Sequence, residues 1–241
     1  MTNEPLPPLP PLSNGSDGPQ PEASRPEADA PVTTPNGSES VPAQARRPEA
    51  EPGQGVSAPT TTADVNRPAA QTEDLARLLL GAELTIATAE SLTGGALAAE
   101  LVRVPGISES FRGGVIAYSS DVKRDVLCVD RDLLVARGAV DPEVAVQMAR
   151  GVREVVAVDG RHADIGLSTT GVAGPDPSDR ADAGVVFIGM STLWGDKAVE
   201  LDFRLLVRAD DPVGSRQRIR QATVEAAVFN LVEYLHAEAR D

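Results

Sequence analysis

The pattern of apolar and polar residues changes character near residue 73, and only the part after it predicts regular structure. Short apolar runs rich in β-branched residues predict strands at 84–89, 113–118, 165–170, 185–192 and 199–207. Helices are predicted at about 72–81, 96–102, 120–127, 141–156 and 219–235, the last from apolar residues that recur at spacings of three and four. Crossovers mixed with hairpin-like neighbours predict an α/β fold, a three-layer α/β/α sandwich with a mixed sheet.

Polar residues in front of the predicted helices supply N-terminal caps. Thr72 is the expected cap of the first helix, and Ser120 or Asp121 that of the third. Asp141 is expected to cap the fourth, because Pro142 follows it at the first helical position, where no backbone donor is needed.

The first seventy residues differ from the rest in composition. Fifteen of the 20 prolines precede position 69, and this stretch contains no aromatic residue. Such a segment cannot bury enough apolar surface to offset the entropy that it would lose on ordering. We therefore expect a disordered Pro/Ser/Glu-rich tail over 1–70 and one folded domain over 71–241, which is long enough to form a single core.

The charge and the cysteine count exclude several classes of function. A formal net charge of -14 and a pI near 4.6 disfavour binding to nucleic acid or to an anionic membrane, since phosphates are bound by clustered Lys and Arg. The only cysteine, Cys128, can form no internal disulfide, and neither a signal peptide nor a long apolar run occurs, so we expect a cytoplasmic protein. His162 and His236 are the only histidines and lack metal-type partners nearby, so no metal site is expected.

Ser91 is a candidate nucleophile, because it lies between a predicted strand end and the Gly94 and Gly95 pair that opens a helix. Free N–H groups at such a helix start could stabilise an oxyanion. Neither histidine has a triad context, so the base would be Tyr118, at a strand end, or Lys123, whose pKa a helix N-terminus would lower. From spacing alone, structural roles for all three residues are the better supported interpretation.

Three further patterns are less specific. Ser120 and Lys123 have the S-x-x-K spacing of penicillin-binding proteins, but the S-D-N and K-T-G partners are missing, so we treat the spacing as accidental. Segment 169–176 contains glycines that would let amides approach a phosphate or carboxylate, and it equally fits an ordinary turn. Arg216 and Arg220, one helical turn apart, could bind an anionic ligand together or form surface salt bridges.

Taken together, three ordered segments resemble the CinA C-terminal domain family. They are 89–95 (AESLTGG), 111–119 (FRGGVIAYS) with Lys123, and 170–175 (TGVAGP). The resemblance runs from about residue 73 to 237 and ends in the last helix on Gly214, Arg216, Ile219 and Arg220. Three motifs in the right order are much more specific than any one of them.

That family includes nicotinamide-nucleotide amidases, which convert nicotinamide mononucleotide to nicotinate mononucleotide and ammonia. The resemblance implies Ser91 as the nucleophile, with Tyr118 and Lys123 assisting, and a pyridine-nucleotide substrate hydrolysed without a cofactor. It also implies a homodimer. The substrate-binding residues that it implies are amide donors near the nucleophile, a ribose and phosphate loop, and one arginine: Thr93, Gly94, Gly95, Thr170, Gly171, Ala173, Gly174 and Arg216.

Three departures from the family pattern bear on function. Leu92 stands where a Cys is common, 176–179 (DPSD) replaces a glycine-rich stretch, and 1–70 stands where many members carry a pyrophosphatase-like domain. The second departure keeps two alternatives open, a non-catalytic module that binds a nucleotide or a protein, and an amidase for another small carboxamide. The joint presence of Ser91, Tyr118 and Lys123 favours catalysis.

Overall fold

The computed structural model describes residues 69–178 and 180–238; the predicted tail up to residue 68, Asp179 and the last three residues lie outside this description. The described residues form six α-helices: α1 (Ala70–Gly81), α2 (Ala96–Leu101), α3 (Ser120–Asp125), α4 (Arg131–Arg137), α5 (Pro142–Val155) and α6 (Pro212–Glu238). They also form five strands: β1 (Ile86–Glu90), β2 (Phe111–Ile116), β3 (Ile165–Gly171), β4 (Val185–Ser191) and β5 (Asp196–Asp202).

The strands form one mixed sheet in the order β2-β1-β3-β4-β5. β1 is parallel to β2 and β3, whereas the β3–β4 and β4–β5 pairs are antiparallel. Glu90 at the end of β1 is in register with Ile116 of β2 and Thr169 of β3, so three strands end at one edge of the sheet. Ligands of α/β proteins bind preferentially outside such carboxyl ends.

Helices cover both faces of this sheet. On one face, α1, α2 and α6 pack on apolar strand residues that include Ile86, Leu167 and Ile188. On the other face, α5 and the residues following α3 pack on Ala87 and Ala89. Successive residues of β1 therefore point into two cores, as expected for a strand buried on both sides. The predicted three-layer α/β/α class is confirmed.

The helix starts differ from the sequence prediction at two of three caps. Thr72 lies inside α1, and its hydroxyl donates to Glu100 at 2.9 Å instead of capping the helix. Ser119, rather than Ser120 or Asp121, caps α3 by accepting a hydrogen bond from the Val122 amide at 3.2 Å. The cap prediction for Asp141 is confirmed, with its carboxylate 2.8 Å from the Glu143 amide.

Two other boundaries differ as well. Helix α4 has seven residues, too few for an apolar repeat to reveal, and the sequence analysis missed it. Strand β5 ends at Asp202, before the predicted limit of 207, because Arg204–Leu206 turn into a short 3₁₀ helix. Neither change alters the order of the sheet.

Candidate active site

Ser91 immediately follows β1 at the carboxyl edge of the sheet. Its amide donates to the Thr169 carbonyl of β3 at 2.9 Å, which fixes the backbone at this point. The chain then turns through Gly94 and Gly95, whose φ angles of 58° and 95° strongly favour glycine, and enters α2. We call residues 91–95 the serine turn. It places a serine that is 9% exposed at the strand end.

Lys123 reaches the same point from α3, which begins just after the neighbouring strand β2. Its side chain is 1% exposed, and its Nζ lies 3.0 Å from Ser91 Oγ. The Nζ also donates to the Ala117 carbonyl at 2.6 Å. Because β1 and β2 are parallel neighbours, the residues that follow them meet at one edge, although 32 positions separate Lys123 from Ser91.

Burial sets the protonation of this lysine. Desolvation lowers the pKa of Lys123 from 10.5 to about 8, with no carboxylate among the described residues to offset it. From the sequence, the start of a helix is expected to lower this pKa. In the structure Lys123 is the fourth residue of a six-residue helix, and the core around it supplies the effect.

Tyr118 lies at the mouth of the site instead of between Ser91 and Lys123. It is 59% exposed, and its hydroxyl accepts a hydrogen bond from the guanidinium group of Arg216. Arg216 also donates to the Gly174 carbonyl at 2.9 Å. The structure therefore joins the predicted nucleophile directly to Lys123 and links Tyr118 to Arg216.

Ser91 and Lys123 open into a cleft of about 270 Å³. Five predicted substrate-binding residues line it: Thr170, Gly171, Ala173, Gly174 and Arg216. The lining also includes Ala139 and Val140 from the connection between α4 and α5, which the sequence analysis missed. The Thr170 hydroxyl donates to the Ala139 carbonyl at 2.6 Å, so it ties two walls of the cleft together.

Glu90 occupies the N-terminus of α2. Its side chain is buried, and its carboxylate accepts hydrogen bonds from the amides of Gly95, Leu97 and Ala98 at 2.8 to 3.0 Å. A helix N-terminus favours negative charge, and here the chain supplies that charge itself. The Gly95 amide is therefore already bonded, and the start of α2 is not open to a ligand.

Two amides of the serine turn remain without an acceptor. The Gly94 amide donates to the Ser91 carbonyl at 3.1 Å, whereas the amides of Leu92 and Thr93 bond to none of the described residues. Leu92 is 3% exposed and Thr93 is fully buried. Buried N–H groups almost always have a partner in native proteins, so two orphans beside a serine indicate a place for a ligand oxygen.

A family model and several relatives identify the kind of domain that carries this site. The model of the CinA C-terminal domain matches residues 69–235. The chain belongs to the CinA C-terminal domain family. The resemblance found in the sequence motifs is therefore confirmed.

Bacterial relatives share the CinA domain but are longer. A competence-damage inducible protein of Halothermothrix orenii is 39% identical over 165 residues, which cover 68% of this chain and 37% of the relative. A CinA-like protein of Frankia casuarinae is 42% identical over 151 residues, which cover 63% of this chain and 32% of that relative. The chain thus spans about a third of the length of these relatives, whose names specify no reaction.

Solved structures show the same fold. A competence/damage inducible protein of Agrobacterium tumefaciens has a TM-score of 0.59 at 30% identity, covering 70% of this chain and 97% of that one. A CinA superfamily protein of Klebsiella pneumoniae has a TM-score of 0.61 at 27% identity, covering 69% and 96%. The matched part of the present chain therefore corresponds to nearly the whole of each.

Three residues of the segment that departs from the family pattern line the CinA cleft. Asp176, Pro177 and Ser178 line the cleft beside Arg216. Further along, Arg180 donates to carbonyl oxygens at the end of α4, including that of Val135 at 3.0 Å. These bonds tie Arg180 to the end of α4, and Asp176 gives the cleft an acidic side chain.

No metal cluster or membrane-spanning helix is found in the part of the chain that the structure describes. There, no group of three or more His, Cys, Asp or Glu side chains could hold a metal ion. No helix within these residues is long and apolar enough to cross a bilayer.

Proposed function

We propose that this CinA domain hydrolyses the carboxamide of nicotinamide mononucleotide, with Ser91 as nucleophile and Lys123 as base. The observation that carries the proposal is the 3.0 Å contact between Ser91 Oγ and a buried Lys123 whose pKa is about 8. About a tenth of such lysines are neutral at pH 7, enough to act as a general base. A buried lysine with a purely structural role is expected to pair with a carboxylate, because burying an unpaired charge is unfavourable.

The reaction proceeds in two halves. Neutral Lys123 takes the hydroxyl proton of Ser91 while Oγ bonds to the carboxamide carbon, and the carbonyl oxygen becomes an oxyanion. The unbonded amides of Leu92 and Thr93 are the donors that stabilise this oxyanion. The Lys123 ammonium then gives its proton to the leaving nitrogen, and ammonia departs from an acyl ester on Ser91. Water, deprotonated by Lys123, attacks the ester and releases nicotinate mononucleotide and free Ser91.

The cleft has the size and charge that a small nucleotide requires. Its volume of about 270 Å³ is near the lower end of small-molecule sites, about 300 Å³, which suits a mononucleotide better than a dinucleotide. Arg216 supplies a positive charge for the phosphate, and segment 170–174 supplies backbone groups for the ribose. Asp176 is the acidic side chain in the described lining, and it complements the positive pyridinium ring.

Ammonia release from nicotinamide mononucleotide tests the proposal. We expect Ser91→Ala and Lys123→Met to lower kcat at least about 1,000-fold, since each removes one member of the reacting pair. Lys197→Met is the matched control, because Lys197 is the only other lysine and is exposed. Loss of activity in the control to the same extent, or full activity without Ser91, would contradict the mechanism.

The departure of 176–179 from the family pattern favours a second candidate, an amidase for another small carboxamide. Nicotinamide riboside lacks the phosphate that Arg216 is proposed to bind, so it separates the two candidates. The lead proposal predicts a kcat/KM at least about tenfold higher for the mononucleotide than for the riboside. This preference should disappear in Arg216→Gln. A higher kcat/KM for the riboside supports the alternative. Nucleotide binding without any turnover would instead indicate the non-catalytic module.

A further inference from the structure

Arg220 joins helix α6 to the serine turn. Its Nε donates to the Leu92 carbonyl at 3.1 Å, and its Nη2 donates to the Thr93 carbonyl at 2.7 Å. Its Nη1 donates to Gln217 on the same helix at 3.1 Å. A planar guanidinium with several fixed donors can orient two neighbouring peptide groups at once, which a single hydrogen bond cannot do.

The peptide between Leu92 and Thr93 connects Arg220 to one of the two orphan amides, that of Thr93. The Leu92 carbonyl and the Thr93 N–H belong to one peptide unit, and that unit is trans, so they point in opposite directions. Holding the carbonyl on Arg220 therefore directs the Thr93 N–H away from the guanidinium group. A cation on the carbonyl also polarises the peptide and makes its N–H a stronger donor.

We propose that Arg220 is a positioning residue for the oxyanion-binding amide of Thr93, an inference that rests on the proposed amidase function. Arg220 does not line the cleft, whereas Arg216, one helical turn earlier, does. The two arginines thus have different roles: Arg216 lines the cleft, and Arg220 holds the serine turn. The Glu90 carboxylate accepts hydrogen bonds from three amides at the start of α2, where the serine turn ends. The serine turn is therefore held by Glu90 as well as by Arg220.

A fluorophosphonate probe tests this role without requiring the true substrate. Ser91 Oγ displaces fluoride from the phosphorus, and the phosphoryl oxygen takes the position of the oxyanion. We expect Arg220→Ala to slow the labelling of Ser91 at least about tenfold, less than the hundredfold or more expected for loss of an oxyanion donor. Arg220→Lys, which keeps the charge but cannot hold both carbonyls, should fall between Arg220→Ala and the wild type.

Arg153→Ala is the matched control. Arg153 also bonds carbonyls, those of Ala163 at 2.8 Å and Thr192 at 3.2 Å, but at the opposite end of the sheet. We expect its labelling rate to stay within about twofold of the wild type. In amide hydrogen exchange, Arg220→Ala should speed exchange in residues 91–95, and Arg153→Ala should not.

The outcomes distinguish the positioning role of Arg220 from the proposed role of Ser91 as nucleophile. Labelling of the wild type with equal rates in Arg220→Ala would overturn the positioning role while leaving the proposed function intact. An unlabelled wild type would refute the serine nucleophile and, with it, the catalytic role of Arg220. With nicotinamide mononucleotide as substrate, Arg220→Ala should lower kcat and change KM by less than about threefold. If Arg220→Ala does not fold, Arg220→Lys decides the matter by the same criteria.

Discussion

The burial of Lys123 without a carboxylate should reduce the stability of the folded protein in a way that depends on pH. The pKa of this lysine is 10.5 when solvated and about 8 in the fold. Each unit of difference corresponds to about 1.4 kcal/mol, so burying the ammonium form costs roughly 3 kcal/mol. Replacing Lys123 with Met removes this cost but leaves the Ala117 carbonyl without its donor, which costs about 1–3 kcal/mol.

The pH dependence separates these two opposing effects. Below pH 8 the lysine is protonated in both states, so the full penalty is present. Between about pH 8 and 10.5 the unfolded chain binds more protons than the folded one, so stability rises with pH and the penalty disappears. The loss of the Ala117 hydrogen bond does not vary with pH. The wild type should therefore gain roughly 3 kcal/mol relative to Lys123→Met between pH 7 and 11.

Urea unfolding at several pH values measures this difference. All other titratable groups are common to both proteins, so their effects cancel in the comparison. Lys197→Met, at the exposed lysine, should run parallel to the wild type within about 0.5 kcal/mol. Parallel curves for Lys123→Met and the wild type would show that Lys123 is solvated in solution, which would remove the basis for its role as a base.

Three other expectations follow from named contacts. The kcat/KM for carboxamide hydrolysis should rise with pH with an apparent pKa near 8, because neutral Lys123 is the base; a flat profile between pH 6 and 9 would contradict this. Glu90→Gln should lower the free energy of unfolding by about 1–3 kcal/mol, since an amide cannot replace the carboxylate as acceptor of three N–H groups; urea unfolding measures this, and an unchanged midpoint would refute it. Gly189→Ala should cost more than about 2 kcal/mol, because a Cβ would collide with the Ala145 carbonyl, whereas Gly81→Ala, with open space around it, should be nearly neutral; equal melting temperatures for the two variants would show the contact to be wrong.

The layered fold could be predicted from sequence because its main signals are local. Runs such as 165–170 and the repeat in the last helix are set by burial on a sheet face, and burial selects apolar residues at regular spacing. Caps depend on which of several adjacent polar residues faces the free amides, so Ser119 and its neighbours were not distinguishable. Helix α4 has no buried residue, so no apolar stripe could mark it.

The candidate site was predictable as a set of residue types but not as an arrangement. Ser91 and Lys123 could be named from motifs, yet only the parallel pairing of β1 and β2 brings their side chains to 3.0 Å. The exposed position of Tyr118 depends on Arg216, which lies 98 residues away. Such contacts are set by topology, and no local propensity encodes them.

The strongest indication of function is that two unfavourable features of the fold lie next to each other. The first is a buried lysine without a carboxylate, which a substitution would remove if stability alone mattered, and the second is a pair of buried amides without acceptors. Other buried polar groups such as Glu90 and Ser168 have hydrogen-bond partners, whereas the buried Nε of Arg218 has none. Lys123 and the two amides all flank Ser91, and a reacting carbonyl whose carbon meets Ser91 Oγ would bring its oxygen to the turn amides.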